Sequence, residues 1–259
     1  STHIKPDSKI PDHEEIKVLK LNDIRHFTTG VYHYDVMTSV FASVEDQGNI
    51  SPGVTMKTAF SAQEWCGLVF ERIIRKENAY QQDLFSYFES EGTVHESIAH
   101  GDTVETEDNL WITIRELDRE VLKPNSEKTV TIIPSQWWRR KTHSSVQTVT
   151  TRLKKGKKRV LKTDIGTLNA YPFSWTIEGK GTRVWVEVAY PHRILQWKER
   201  DGSHGTIISS RREPYWRQNS NKYEYLREKL DLTYRPPATQ RHSTERVLFA
   251  DRKTLTMLP

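Results

Sequence analysis

Residues Val54-Thr55-Met56-Lys57-Thr58-Ala59-Phe60 alternate along the chain, placing Val54, Met56, Thr58 and Phe60 on one face of a strand. Tyr32, Tyr34, Val36, Thr38 and Val40 share a face in the same way. They lie in a β-type run from Phe27 to Val44 that ends at the turn residues Asp46-Gln47-Gly48-Asn49. The next stretch, 61–74, carries two patterns. Ser61-Ala62-Gln63-Glu64 has the form of a helix capping box, and Trp65, Leu68, Val69 and Ile73 fit a helical stripe. Val69-Phe70-Glu71-Arg72-Ile73-Ile74, however, is rich in β-branched and aromatic residues. Polar Lys76-Glu77-Asn78 then precedes a second such run, Leu84-Phe85-Ser86-Tyr87-Phe88. A hairpin is the preferred reading.

A helix is expected from Thr106 to about Arg119. Thr106 can cap it, Glu107 and Asp108 complement its N-terminal dipole, and Leu110, Ile114, Leu117 and Val121 recur at helical spacing. Strands follow at 129–133, 146–153, 160–163, 168–177, 183–190, 193–199 and 206–210. A second helix is expected over Asn219–Lys229 with Leu226 and Leu230 inward. The links between these strands are short and turn-like (Lys155-Gly156-Lys157, Glu178-Gly179-Lys180-Gly181, Asp201-Gly202-Ser203), and short links require antiparallel pairing. The expected fold is mainly β: a large curved antiparallel sheet or half-barrel with a few short helices. Residues 1–16 read as a polar tether, 17–232 as one domain, and 233–259 as an extended segment docking on the body.

Composition narrows the function classes. The net charge of +5 conceals −10 in residues 1–130 and +15 in residues 131–259. Either the basic half meets an anionic partner, or the two halves attract each other within one fold. One cysteine, Cys66, excludes a disulfide framework and a Cys-only zinc site. No apolar run reaches the ~20 residues of a membrane helix. The chain opens Ser1-Thr2-His3 without an initiator Met, and its proline-punctuated start suits the tether of a lipid-anchored exported protein.

Reactive constellations are sparse. The ten histidines show no zinc spacing, and Asp12-His13-Glu14-Glu15 reads as a solvated charge cluster, so neither a metal nor a cofactor is implied. Glu64, Glu89 and Glu91 are candidates for an acid/base pair. Cys66 has no base near it in sequence and reads as a packed residue rather than a nucleophile, with Gly67 permitting a bulge or close approach. The basic run Arg152, Lys154, Lys155, Lys157, Lys158 and Arg159, extended by Lys162 and centred on Gly156, is expected to form a protruding hairpin tip suited to an anionic partner. Its competing reading is a solvated hairpin whose lysines guard a strand edge. Trp65, Trp138, Trp175, Trp185 and Trp197 are the candidate lining of a concave ligand-binding face. Trp137 and Trp138, taken as strand residues, cannot both point inward.

Phe60-Ser61-Ala62-Gln63-Glu64-Trp65-Cys66-Gly67 resembles the Gln-Glu-Trp-Cys-Gly signature of an uncharacterised family of exported bacterial proteins, sometimes labelled septum-formation inhibitors. Asp108-Asn109-Leu110-Trp111, Tyr215-Trp216-Arg217-Gln218-Asn219 and Leu226-Arg227 are similar to that family too. Gly166–Gly202 resembles the repeated hairpins of periplasmic lipoprotein-carrier-like half-barrels. The resemblance implies an envelope location, periplasmic or lipid-anchored to the outer membrane through a cysteine outside this sequence, and a concave β surface. It brings no catalytic residues. The leading expectation is a non-enzymatic binding module for a lipid, a lipidated protein or an anionic envelope polymer. Behind it stand a nucleic-acid-binding module using 152–162, without any standard motif, and a hydrolase using Cys66.

Overall fold

The computed structural model describes residues 15–48, 50–100, 104–117 and 119–230, with the backbone of Glu245–Leu248. The expected tether therefore lies almost wholly outside the described residues, as does most of the C-terminal segment.

The described strands divide between two sheets. The first is built from β1 (Val18–Thr29), β2 (Tyr32–Ser43), β3 (Thr55–Glu64), β4 (Gly67–Arg75), β5 (Ala79–Ser86) and β6 (Thr93–Ala99), each antiparallel to the one before. The second contains β7 (Val104–Thr106), β8 (Ser126–Ile133), β9 (Val149–Lys155), β10 (Arg159–Thr163), β11 (Gly166–Ile177), β12 (Lys180–Glu187), β13 (Ile194–Lys198) and β14 (His204–Thr206). Its order is β14-β13-β12-β11-β9-β8-β7, antiparallel except for the parallel β7–β8 pair, and β10 also pairs with β11. A last strand, β15 (Glu245–Leu248), adds antiparallel to β1. The chain is mainly β and antiparallel, as its periodicity implies, with two sheets, few short helices and no closed barrel.

Local corrections have identifiable causes. The run from Phe27 to Val44 is a hairpin, turning at Gly30-Val31 and pairing from Thr29 with Tyr32 to Val18 with Ser43. Residues 61–74 are strands joined by the two-residue tip Trp65-Cys66, with Glu64 opposite Gly67. The face expected for β3 holds at Thr58 and Phe60, then switches to Thr55. Pairing with β2 shifts between Phe41 and Ala42, so Lys57 faces Phe41 and Thr55 faces Ala42, and the extra residue flips the alternation.

The first helix, α1, is Glu107–Thr113, shorter than the periodicity predicts. Thr106 does not cap it with its side chain; its hydroxyl lies 3.2 Å from that of Thr55. A helix that the sequence pattern does not assign, α2, spans Gln136–Thr142 and carries both Trp137 and Trp138. The expected second helix is instead two 3-10 segments, Asn221–Leu226 and Glu228–Leu230; Leu226 is only half-buried, and the Leu230 side chain lies outside what is described.

The basic run does not fold back as a β9–β10 hairpin. Both strands line the same edge of β11, Lys155 opposite Phe173 and Arg159 opposite Ala170. They are interrupted beside Pro172, which has no N–H to give; its carbonyl accepts the Gly156 amide at 2.8 Å.

One apolar cluster joins the two sheets. Leu21 and Val40 of the first pack with Leu110, Trp111 and Ile114 of α1 and its C-terminal turn. The cluster continues through Leu153, Phe173, Trp175, Val184 and Trp197 of the second sheet. α2 lies against the first sheet, where Trp137 meets Phe27 and Phe60.

Candidate functional site

α1 wedges between the sheets but ends at Thr113, and the chain from Ile114 to Val121 leaves the helical path. A cleft of about 500 Å³ opens there. Its walls are Leu19, Ala42 and Val44 of β1, β2 and the following loop, Pro52 and Val54 before β3, Ile112 of α1, Leu117 and Val121 beyond it, and Tyr190 with the cis-bonded Pro191. Leu117 and Val121 carry the helical spacing seen in the sequence, yet they face this cleft rather than extending the stripe of α1. Their apolar periodicity was the one sequence signal for the site. The other wall residues come from several separate segments and share no spacing.

The polar groups of the cleft fall into two kinds. Most are committed. Glu105 accepts from the Thr55 amide at 2.9 Å, the Thr55 hydroxyl at 2.5 Å and Asn109 Nδ2 at 3.1 Å. Burial nonetheless holds its carboxyl above the usual range, outweighing those bonds. Arg115 is buried and donates to the carbonyls of Pro191 at 2.8 Å and His192 at 3.0 Å. Arg119 and Lys128 are the other kind. Both line the cleft and are exposed. Arg119 donates through Nη2 to the Pro52 carbonyl at 2.7 Å, and Lys128 bonds nothing among the described residues. Desolvation, then the neighbouring Arg119 charge, lowers the Lys128 ammonium below its ordinary range.

The five tryptophans expected to share a concave face are dispersed. Trp175 and Trp197 are buried in the inter-sheet cluster. Trp185 lies on the opposite face of β12, beside Leu195 and Ile207. Trp65 is 63% exposed at the β3–β4 tip, its ring 5.0 Å from that of Tyr32. Only Trp138 and Trp175 meet. They line a cavity of about 20 Å³ with Trp111, Trp137, Glu107 and Arg200, space for about one water. There Glu107 bonds both Arg200 and Trp175 Nε1.

The basic run is largely neutralised from within. Lys155 is buried, 2.5 Å from Glu116 and 3.7 Å from Glu120, with its ammonium over the Tyr171 ring. Arg152 and Lys154 both bond Glu127. Lys157, Lys158 and Arg159 remain exposed.

Cys66 is exposed rather than packed. The Tyr32 hydroxyl is 3.6 Å from its sulfur, and no imidazole or cation bonds the thiol among the described residues. Glu64 accepts the Cys66 amide and the Tyr87 hydroxyl, whereas Glu91 is held by Arg140 and His143, so these two carboxylates are not paired. The close approach expected at Gly67 is real: the Tyr87 ring lies over it, and an added Cβ would sit 2.5 Å from Tyr87 Cγ. Among the described residues no cluster of His, Cys, Asp and Glu could hold a metal. Comparison with known proteins finds no matching family model, curated protein or solved structure.

Proposed function

We propose that this chain is a non-enzymatic binding protein that holds an amphipathic small molecule in the cleft between its sheets. The observation that carries this reading is the cleft itself: about 500 Å³, within the range of small-molecule sites, mostly apolar, and walled by both sheets. Its committed polar groups speak for binding rather than turnover. Glu105 is fixed through Oε2 by Thr55 and Asn109, Arg115 by backbone carbonyls, and neither bonds a nucleophile among the described residues. The Gln63–Gly67 resemblance supports the wider proposal of an exported envelope protein whose ligand is a lipid or a lipidated component.

The test is to fill the cleft. Val121→Trp and Ile112→Trp place a bulky ring where the ligand chain would lie. Titrated with dodecanol below its solubility limit, the wild-type chain binds, and both variants lose binding while keeping the wild-type urea midpoint. Undiminished binding by both variants moves the site elsewhere.

A further inference from the structure

We infer that the ligand of this cleft is an alkyl or acyl chain with an anionic oxyanion head, the chain lying along the apolar walls and the head held between Arg119 and Lys128. The inference rests on the binding reading above and names its ligand class. The first support is where charge remains unmatched. Glu105 is occupied by Thr55 and Asn109. Glu116 accepts Lys155 through one oxygen and the amides of Val121 and Leu122 through the other, and Glu120 also faces Lys155. Glu116 is thus spent inside the fold and Glu105 is held through Oε2, while Glu120 stays on the exposed rim; none of the three bonds Arg119 or Lys128 among the described residues.

The second support is orientation. Arg119 is anchored by a single bond from Nη2 to the Pro52 carbonyl, which leaves the second Nη2 hydrogen and a further guanidinium nitrogen, Nε or Nη1, for a planar, two-point grip on an oxyanion. Lys128 adds a point charge beside it; burial first, and then the Arg119 charge, lower its proton affinity against the partial offset of Glu105 and Glu116, and an anion between the two cations relieves the repulsive part. Both cations sit on the exposed rim while Ile112, Leu117, Val121 and Leu19 supply the wall. An apolar depth with a cationic mouth matches a molecule of the opposite construction.

Calorimetric titration of the full chain with dodecyl phosphate, dodecanol and inorganic phosphate tests this. Lys128→Gln is the main variant because its side chain bonds nothing among the described residues; Arg119→Gln is the second. The expected result is that dodecyl phosphate binds at least about tenfold tighter than dodecanol. Either substitution should erase that preference without changing dodecanol affinity. Lengthening the alkyl phosphate should tighten binding about fourfold per methylene. Equal affinity for dodecanol and dodecyl phosphate overturns the anionic head and leaves the cleft-binding reading standing. Inorganic phosphate binding as tightly as dodecyl phosphate overturns the chain and makes the site one for a free anion. If none of the three probes binds, the cleft-binding reading itself falls.

Discussion

Glu71 sits fully buried in the middle of β4, an unusual place for a carboxylate. Two donors hold it through Oε1, Arg139 Nη2 at 2.5 Å and Gln82 Nε2 at 2.7 Å, while the Arg140 guanidinium stands 3.8 Å from Oε2 as a charge without a hydrogen bond. Taking two charges out of water costs several kcal/mol per ion, which close pairing only roughly offsets. Removing one partner leaves the other charge stranded. Glu71→Gln is therefore expected to lower unfolding free energy by about 3–5 kcal/mol in urea titration. The double substitution Glu71→Leu with Arg139→Met should recover most of that loss; equal instability of the double variant would mean the pair itself is strongly stabilising. The identity of Glu71 is plain in the sequence, where it interrupts a β-branched run. That its partners lie on α2, 68 residues away, is not.

Among the elements, the β3–β4 hairpin and α2 show how a local pattern is decided. Read as a helix, 61–74 would bury Trp65 and Leu68; as strands, it buries Val69, Glu71 and Ile73 and leaves Trp65 and Leu68 exposed. The tip stays tight because Gly67 lets the Tyr87 ring cross it and reach Glu64. Gly67→Ala forces that ring aside, since the clash is at Cβ and Cγ rather than at the end of the side chain. A loss of about 1–3 kcal/mol is expected, with greater protease sensitivity at 64–67. An unchanged urea midpoint would show that Tyr87 moves freely. For α2, the sequence pattern assigns no element: on a strand one of the adjacent tryptophans would face out, whereas on the helix both Trp137 and Trp138 lie half-buried on neighbouring sides.

At the scale of the molecule, the charge asymmetry between the chain's halves is largely resolved internally. Arg25 bonds Glu199, Arg200 bonds Glu107, Arg139 bonds Glu71, and Lys155 bonds Glu116, each pair joining residues on either side of position 130. The same closure buries Asp108, and desolvation raises its carboxyl to about 6 despite the Gln136 amide bond. Because the folded value is raised, the stabilisation is complete below the ordinary aspartate range and is lost as pH rises through about 6. The loss is roughly 3 kcal/mol. Glu105, also raised by burial, acts in the same direction. Urea unfolding should therefore show lower stability at pH 8 than at pH 5, with a flatter decline in Asp108→Asn. An identical decline in that variant would remove Asp108 as its source. Asp83 behaves oppositely: though desolvation pushes it up, bonds from Arg72 and His95 hold it low, so its contribution disappears as pH falls below the ordinary carboxylate range.

The sequence by itself determined most of the strands and their antiparallel sense, because alternation and short turns are local properties that each segment carries alone; it left β6 and β7 unread and ran β2 together with the end of β1. It determined the apolar character of Leu117 and Val121 without showing what they face. Tertiary structure decided the division into two sheets, the α2 helix, the fate of Lys155 and the cleft. The cleft exists because α1 stops short between two sheets and several distant segments close around the gap. Arg119 and Lys128 acquire their meaning only there: Glu116 has been claimed by Lys155, far away in sequence, Glu105 is held by Thr55, and no spacing along the chain records which groups folding will bring to the cleft.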